Sequence, residues 1–373
     1  MSKVKILHTA DIHIGAAESF LGEKAAGRRF ETLITFEKIV DIAAAENVDV
    51  VAIAGDLFDS NLVESSLSDA VFAKIASAPH IKFIFSAGNH DPLDIRSPFL
   101  KKRMPDNLYV LKTRDDVIVF EDLALCVYGR SFESAFLKGE NNFSLKPHSD
   151  YVNLMVLHGD LASDSDYNGI TSEFISGCGM DYIALGHIHK RSEISKIGET
   201  YFAYSGCPEG QGFDETDVKG VYLGEIEKGI CNLEFVPTGK RMHICENIDI
   251  SSLGSTDEIA EYIISYLSGK YGEDFSENLY KVVLTGGVKF EDIPLDEIKS
   301  RIADRVYYIK IRDNTEIASD LESLAKETSL KGIFVKNMLK EIKNAEDDKK
   351  EVYEKALKIG LKAFAGEVKY SEN

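Results

Sequence analysis

The sequence predicts an α/β fold, followed by a smaller α+β region and a helical tail. Three observations carry this. Short apolar, β-rich runs alternate with helix-spaced apolar patterns over the first half of the chain. Between Ser192 and Pro237 that alternation gives way to strand after strand punctuated by Gly and Pro. Near Arg241 the composition shifts again, and from about residue 315 the chain is helical and charge-rich. Strand–helix–strand alternation implies a largely parallel sheet covered by helices, and the later run of strands implies antiparallel additions to it.

Each element has its own signal. Val4–Thr9 reads as a buried strand. Over Arg29–Glu46 the apolar residues Phe30, Leu33, Ile34, Phe36, Ile39, Val40 and Ala43 fall at helical spacing. Val48–Ala54 is the next strand, Ser65–Ser77 the next helix and Ile81–Ser86 a further strand. Strands follow near Val117–Phe120, Leu123–Tyr128, Val152–Leu157 and Tyr182–Leu185. In the second region His243–Ile250, Leu279–Thr285 and Arg305–Ile311 read as strands, separated by helices at about 256–269 and 295–303. In the tail, Leu330, Phe334, Met338 and Ile342 form one apolar stripe. Tyr353, Leu357, Leu361 and Phe364 form another, across an acidic break at Asn344–Lys350.

At 373 residues the chain is long enough for two or three domains, and 44% hydrophobic with 28% charged residues is a globular profile. No apolar run is long enough to span a bilayer. The start, MSKVKILHTADIH, enters a strand with no secretory apolar region, so a cytoplasmic location is expected. Five scattered cysteines without CxxC spacing argue for reduced thiols rather than a disulfide framework or zinc knuckle. The net charge of −19 argues against tight unaided binding to nucleic acid, though bound divalent cations reverse the sign inside a site.

Five segments share one design, an apolar strand with polar residues at its carboxyl end. They are ILHTADIH (Asp11, His13), VAIAGDLFD (Asp56, Asp59), FIFSAGNHD (Asn89, His90, Asp91), LMVLHGD (His158) and YIALGHIH (His187, His189). In α/β sheets, ligands bind at the carboxyl ends of strands. Five of the nine histidines occupy these positions, which makes convergence on one point the natural reading. The two-residue spacings Asp11/His13 and His187/His189 would put both side chains on one side of an extended chain. Gly55, Gly88 and Gly186 precede candidate ligands and would allow close backbone approach. Taken singly, each piece has a plainer reading as a surface loop, a turn or an incidental His pair. Together, in order, they read as a metal centre. Oxygen and imidazole donors without thiolate suit manganese, iron or zinc better than magnesium or calcium. Two divalent ions, Asp11, Asp56 and a bridging hydroxide leave roughly +1, which matches a singly charged phosphodiester.

The ordered set ILHTADIHIG, GDLFD, GNHDP and LGHIH resembles the calcineurin-like metallophosphoesterases. Within them it is similar to the SbcD-type DNA repair exonucleases, and more so to the bacterial YhaO-like subgroup. YSGCPEGQGFDETDVKGVYLGEI resembles that branch's Gly-Ser-Pro, Glu and Lys-Gly pattern, with Cys207 where Ser is usual. The resemblance implies a four-layer sandwich of mixed β-sheets flanked by helices. It would divide the chain into a nuclease domain over 1–240, an α+β DNA-capping domain over 241–314 and a helical tail over 315–373. It also implies that Asp11, His13, Asp56 and His189 bind a first metal. Asp56 would bridge to a second, held by Asn89, His158 and His187. His90 would act on the scissile phosphate as general acid or transition-state stabiliser, and Asp91 would orient or support it. Asp59 is grouped with these two, although some relatives have His there.

The expected activity is metal-dependent hydrolysis of DNA phosphodiester bonds by a water activated between two ions, manganese first, with iron, zinc or magnesium as alternatives. Expected partners are DNA ends or single strands, an SbcC-type coiled-coil ATPase gripping the tail, and a second copy of the chain in a homodimer, with no membrane. Arg28, Arg29, Arg130, Lys190 and Arg191 are candidate phosphate contacts, and no aromatic ladder for base stacking is visible in the sequence. Two alternatives compete: a phosphodiesterase or phosphatase acting on small nucleotides or proteins, and a non-catalytic DNA-end-binding subunit.

Overall fold

The computed structural model describes every residue except 1, 141–142, 145, 289–292, 318–320 and 365–373. The chain forms two compact units, Met1–His243 and Ile244–Asn373. In the first, the elements run β1 Lys3–Thr9, α1 Ala25–Ala45, β2 Val50–Ile53, α2 Ser65–Ala76, β3 Lys82–Phe85, α3 Pro98–Lys101, β4 Leu108–Val110, β5 Asp116–Phe120, β6 Leu125–Arg130, β7 Leu137–Glu140, β8 Val152–His158, β9 Tyr167–Gly169, α4 Ser172–Gly177, β10 Tyr182–Gly186, β11 Ser195–Ile197, β12 Thr200–Tyr204, β13 Gly220–Glu227 and β14 Ile230–Pro237. The strands and helices expected from periodicity are present, most within one or two residues of the expected ends.

Two six-stranded sheets make the body, ordered β14-β13-β1-β2-β3-β4 and β11-β12-β10-β8-β6-β5. In the first sheet β1 to β4 are parallel, and β13 and β14 add antiparallel. In the second, β6, β8, β10 and β12 are parallel with antiparallel edges β5 and β11. Alternation along the strands assigns the layers. Leu7, Val51, Ile53, Phe83 and Phe85 pack on Phe36, Ile39 and Val40 of α1 and Val71 and Ile75 of α2. The intervening residues Val4, Ile6, Val50, Ala52 and Ile84 face Val127, Leu154, Val156, Tyr182 and Ala184 of the other sheet. The far face of that second sheet, with Met155, Leu157, Ile183 and Leu185, packs on Ile175 of α4. The result is helix, sheet, sheet, helix, the four layers expected.

The inter-sheet core tapers. Along β10 the inward residues shrink from Tyr182 through Ala184 to Gly186, and β2 goes from Val50 to Ala52, with Ala54 just past its end. At the thin edge a Cβ on Gly186 would lie 1.8 Å from the Ala54 carbonyl oxygen. Glycine is required there by contact between the sheets, and the carboxyl ends of β1, β2, β3, β8 and β10 meet at that edge.

The second unit holds a three-stranded sheet, order β15-β16-β18, with β15 at His243–Asp249, β16 at Leu279–Thr285 and β18 at Tyr308–Asp313. Helices α5 (Thr256–Tyr271) and α6 (Leu295–Ile302) accompany it. A short pair, β17 (Gly287–Val288) and β19 (Glu316–Ile317), and helices α7 (Leu321–Leu324), α8 (Leu330–Asn344) and α9 (Asp347–Phe364) complete it. The acidic break is narrower than the sequence suggests, because only residues 345–346 separate α8 from α9. Much of the apolar stripe is used internally: Phe334, Met338 and Ile342 pack around Val335, Leu357 and Leu361. Among the described residues no helix is long and apolar enough to cross a membrane.

Candidate metal centre

All seven expected ligands converge at the thin edge. The His13 and His189 Nε2 atoms face each other at 3.1 Å, and His13 Nε2 is 3.8 Å from Asp56 Oδ2. Asn89 Oδ1 lies 2.9 Å from His158 Nε2 and 3.2 Å from His187 Nδ1. His158 Nε2 is also 3.4 Å from Asp56 Oδ2, which places Asp56 between the two groups. Asp11, His13 and His189 form one set whose donor atoms lie within 4.8 Å of one another, and Asp11, Asp56 and His158 form another. His158, His189 and His187 each use one nitrogen for support and turn the other inward. His158 Nδ1–H donates to the Ala54 carbonyl at 2.9 Å, and His189 Nδ1 meets Glu215 Oε1 at 2.6 Å. His187 Nε2 is 3.2 Å from Asp160.

The local backbone that achieves this is not the extended chain expected. Asp11, His13, Asp56 and His187 all have positive φ, at 53°, 49°, 51° and 102°. Side-chain-bearing residues rarely adopt this region, and such strain gathers at functional sites. The glycine expectation holds physically: a Cβ on Gly88 would sit 2.2 Å from Asp56 Oδ1, and one on Gly55 2.2 Å from the His158 ring.

Electrostatics favours a bound cation. Asp11 and Asp56 are both buried. Burial, and then the neighbouring Asp56 charge, push the Asp11 carboxyl up, against the pull of the histidines. Burial also opposes a charged His158, but the Asp56 and Asp11 carboxylates outweigh it and raise His158 to about 9. Two closely spaced buried carboxylates ringed by imidazole nitrogens are a donor set for divalent ions, so the residues present fit a dinuclear centre.

The three residues expected to act in catalysis separate. His90 is 43% exposed on its side chain, and its Nδ1–H donates to the Asp59 carbonyl at 2.9 Å, which leaves Nε2 free. Its backbone N–H donates to Asp56 Oδ1. Asp59 therefore braces His90 through its main chain, and its carboxylate lies 3.5 Å from His13 Nδ1. Asp91 is fully buried, and its carboxylate bonds to backbone amides rather than to the His90 ring. It accepts from the Phe58 and Gly88 N–H groups at 3.1 and 2.9 Å and so ties the GDLFD and GNHD loops together. Burial and the Asp56 charge push its carboxyl up to about 6.

Four of the five candidate phosphate contacts are engaged within the protein. Arg28 is 1% exposed and binds Glu18, Glu31 and Glu209 at 2.7–2.8 Å. Arg29 binds Gly15 and Glu64, Arg130 binds Asn168, and Arg191 lies over the Phe235 ring at 4.3 Å. Lys190 is exposed, in a groove of about 470 Å³ shared with His187, His189, Glu215 and Lys219. His8, in the first motif segment, is a core histidine bonded to Tyr182 and the Leu185 carbonyl, and burial lowers it to about 3.

Sequence reasoning did not assign Glu215 or Asp160. Asp160 stood in LMVLHGD, two residues after a ligand, and that spacing was a usable signal. Glu215 stood in a quoted segment, but nothing local ties it to His189. Its carboxylate also accepts from Cys207 Sγ and the Gln211 N–H. Burial works against the charged carboxylate, but the His189 contact, the Gln211 N–H and the Lys219 charge outweigh it and hold it at about 2. A carboxylate on the outer nitrogen of a metal-binding histidine fixes its tautomer and orientation. Glu215→Gln is therefore expected to weaken divalent-ion affinity by about 10–100-fold, measured by manganese titration calorimetry.

Residues 4–191, just over half of the chain, match the calcineurin-like phosphoesterase family. The chain belongs to this family of metal-dependent phosphoester hydrolases. It is similar to the metallophosphoesterase YhaO of Bacillus subtilis, 28% identical over 253 residues that cover 63% of this chain and 60% of that protein's length. It is 25% identical to the DNA double-strand break repair protein Mre11 of Saccharolobus solfataricus over 366 residues, 92% of each chain. A shorter stretch of 93 residues, 24% of this chain and 22% of the other, is 33% identical to the SbcD component of the nuclease SbcCD of Rhodobacter capsulatus.

Proposed function

We propose that the chain is a metal-dependent DNA nuclease, the hydrolytic subunit of a repair complex with an SbcC-type ATPase. The observation that carries the reading is the convergence of Asp11, His13, Asp56, Asn89, His158, His187 and His189 beside a histidine with a free nitrogen, His90. Asp11, His13, Asp56 and His189 hold the first ion. Asp56, Asn89, His158 and His187 hold the second, and manganese suits the donors best. When bound, two such ions lower the pKa of water and neutralise charge on the phosphoryl oxygens. His90 in its imidazolium form, with Nδ1–H held by the Asp59 carbonyl, donates a hydrogen bond or proton from Nε2–H at the scissile phosphate. Asp59 and Asp91 position the loops. The neutral Asn89 keeps the site's charge suited to a diester. Relatives named for DNA repair and nuclease activity support DNA as the substrate over small nucleotides.

A panel of linear duplex, single-stranded circles, a chromogenic diester and a phosphomonoester, each with manganese, tests this. Nucleotide release from DNA is the expected result. Activity confined to the small substrates would overturn the nuclease reading, and DNA binding without cleavage would favour the end-binding subunit.

The partner reading draws on the tail. Leu330, Ile333, Val352, Ile359 and Phe364 remain exposed at 41–74% on α8 and α9, available to a coiled coil. A partner's basic surface would also offset the −19 charge on DNA. Residues 241–314 would act as the DNA-capping domain. Removing residues after 315 is expected to abolish co-purification with the ATPase and spare hydrolysis of a small diester. Retention of the complex would sink the assignment.

A further inference from the structure

A run of aromatic rings leads outward from the metal centre. The His158 and His187 rings meet edge-on, with centroids 5.1 Å apart. Tyr167 lies against the other side of His187, at 4.8 Å and 32° between planes. Phe136 continues the run, 5.8 Å from Tyr167 and 34° from its plane, and is 53% exposed. His158 and His187 stand at the ends of β8 and β10, Tyr167 opens β9 and Phe136 immediately precedes β7. The run is therefore assembled from four places in the sequence, which is why none was visible there.

The scaffold holds it firmly. Leu137 pairs with Tyr167 across β7 and β9, and the Leu137 N–H donates to Asp166. The Tyr167 carbonyl accepts from the Asp160 N–H at 3.1 Å and packs where a Cβ on Gly159 would come within 2.8 Å. Tyr167 has an evident local task, which is to brace the His187 ring. Phe136 does not touch His187 and leaves half its surface in water. A lone exposed Phe is ordinary, but one that extends a ring series starting at a metal ligand offers exposed aromatic surface, here two rings away from the ligand His187.

We propose that Phe136, backed by Tyr167, is a stacking platform for an unpaired nucleobase adjoining the phosphodiester that is cut. This rests on the nuclease reading above and adds to it a residue that would hold the unpaired base of a single-stranded end, loop or frayed terminus. A base inside a duplex has both faces covered by its neighbours, whereas an unpaired base is free to stack on an aromatic side chain. The platform also answers a physical difficulty. The chain is strongly acidic, and Arg28, Arg29, Arg130 and Arg191 are occupied within the protein. Stacking holds a strand without requiring a basic surface, and it is indifferent to base identity.

The test uses the full chain with manganese and a single-stranded oligonucleotide, with one abasic nucleotide moved step by step past the cleaved bond. Phe136→Ala and Phe136→Leu are expected to raise KM on the intact strand on the order of tenfold, with a smaller change in kcat, and Phe136→Trp to restore it. In the wild type, one abasic position should reproduce the KM rise. In Phe136→Ala the same position should add little, because the ring it would have met is gone. Unchanged KM in Phe136→Ala and Phe136→Leu, or an abasic cost equal in wild type and variant, would overturn the platform while leaving the nuclease reading intact. Failure of the wild type to cut any oligonucleotide would remove both.

Discussion

Replacing His90 with alanine is expected to lower kcat on a phosphodiester by about 10²–10⁴-fold, the usual span for losing a positioned general acid. The geometry supplies the reason. The Nδ1–H is committed to the Asp59 carbonyl, so the outward Nε2 is fixed in direction and available to a substrate. Its backbone N–H holds Asp56 Oδ1 and is unaffected by the substitution, so the ligand shell survives. Bound manganese per chain, measured alongside the rate, separates two roles. Retained ions with lost turnover fit a group acting on phosphate. Loss of an ion would make His90 a ligand, which its neighbours His13 and Asp56 would allow.

Arg28→Met is expected to destabilise the first unit by about 3–5 kcal/mol, the cost of removing one partner from a buried ion network. Arg28 lies among three buried carboxylates, Glu18, Glu31 and Glu209, so its loss removes the cation they share in a low-dielectric setting and leaves Arg241 and Lys240 on Glu31. The urea midpoint at neutral pH measures it, and a midpoint shift below about 1 kcal/mol, the range for an exposed pair, would show the network to be dispensable. The same cluster sets an acid limit. Burial alone would raise the Glu31 carboxyl, but bonds from Arg241, Arg28 and Lys240 outweigh burial and hold it at about 2, below its ordinary 4.5. A carboxyl depressed in the folded state contributes stability above pH 4.5 and loses it as pH falls toward 2. Wild-type stability should fall through that window, and Glu31→Gln should flatten the decline.

The layered body was readable because the apolar periods are clean. Val50–Ile53 and Tyr182–Gly186 are continuous apolar runs, and Val4–Leu7 is broken only by Lys5; each leads on to polar residues, and buried parallel strands look like that. The ligand set was readable for the same reason, since each ligand stands at the end of its strand or within four residues of it. What escaped notice depends on contacts between distant segments. Arg28 looked like a free cation because its three carboxylate partners lie 10, 3 and 181 residues away. Glu215 meets His189 across 26 residues of chain that pass through β11 and β12. Asp91 follows His90 in sequence, yet its buried carboxylate turns to the Phe58 and Gly88 amides. The left-handed backbone at Asp11, His13 and Asp56 carries no residue-level signature, because aspartate and histidine there are chosen for their donors.

The taper between the sheets makes the sandwich a wedge whose sharp edge carries the chemistry. Asp11, Asp56 and Asn89 belong to one blade of that wedge, His158, His187 and His189 to the other. The spacing between the two donor groups is thus governed by the thickness of filling between the blades. An extra methyl at Ala184 or Gly186 would work as a shim, prying the blades apart and spoiling the centre without replacing a single ligand.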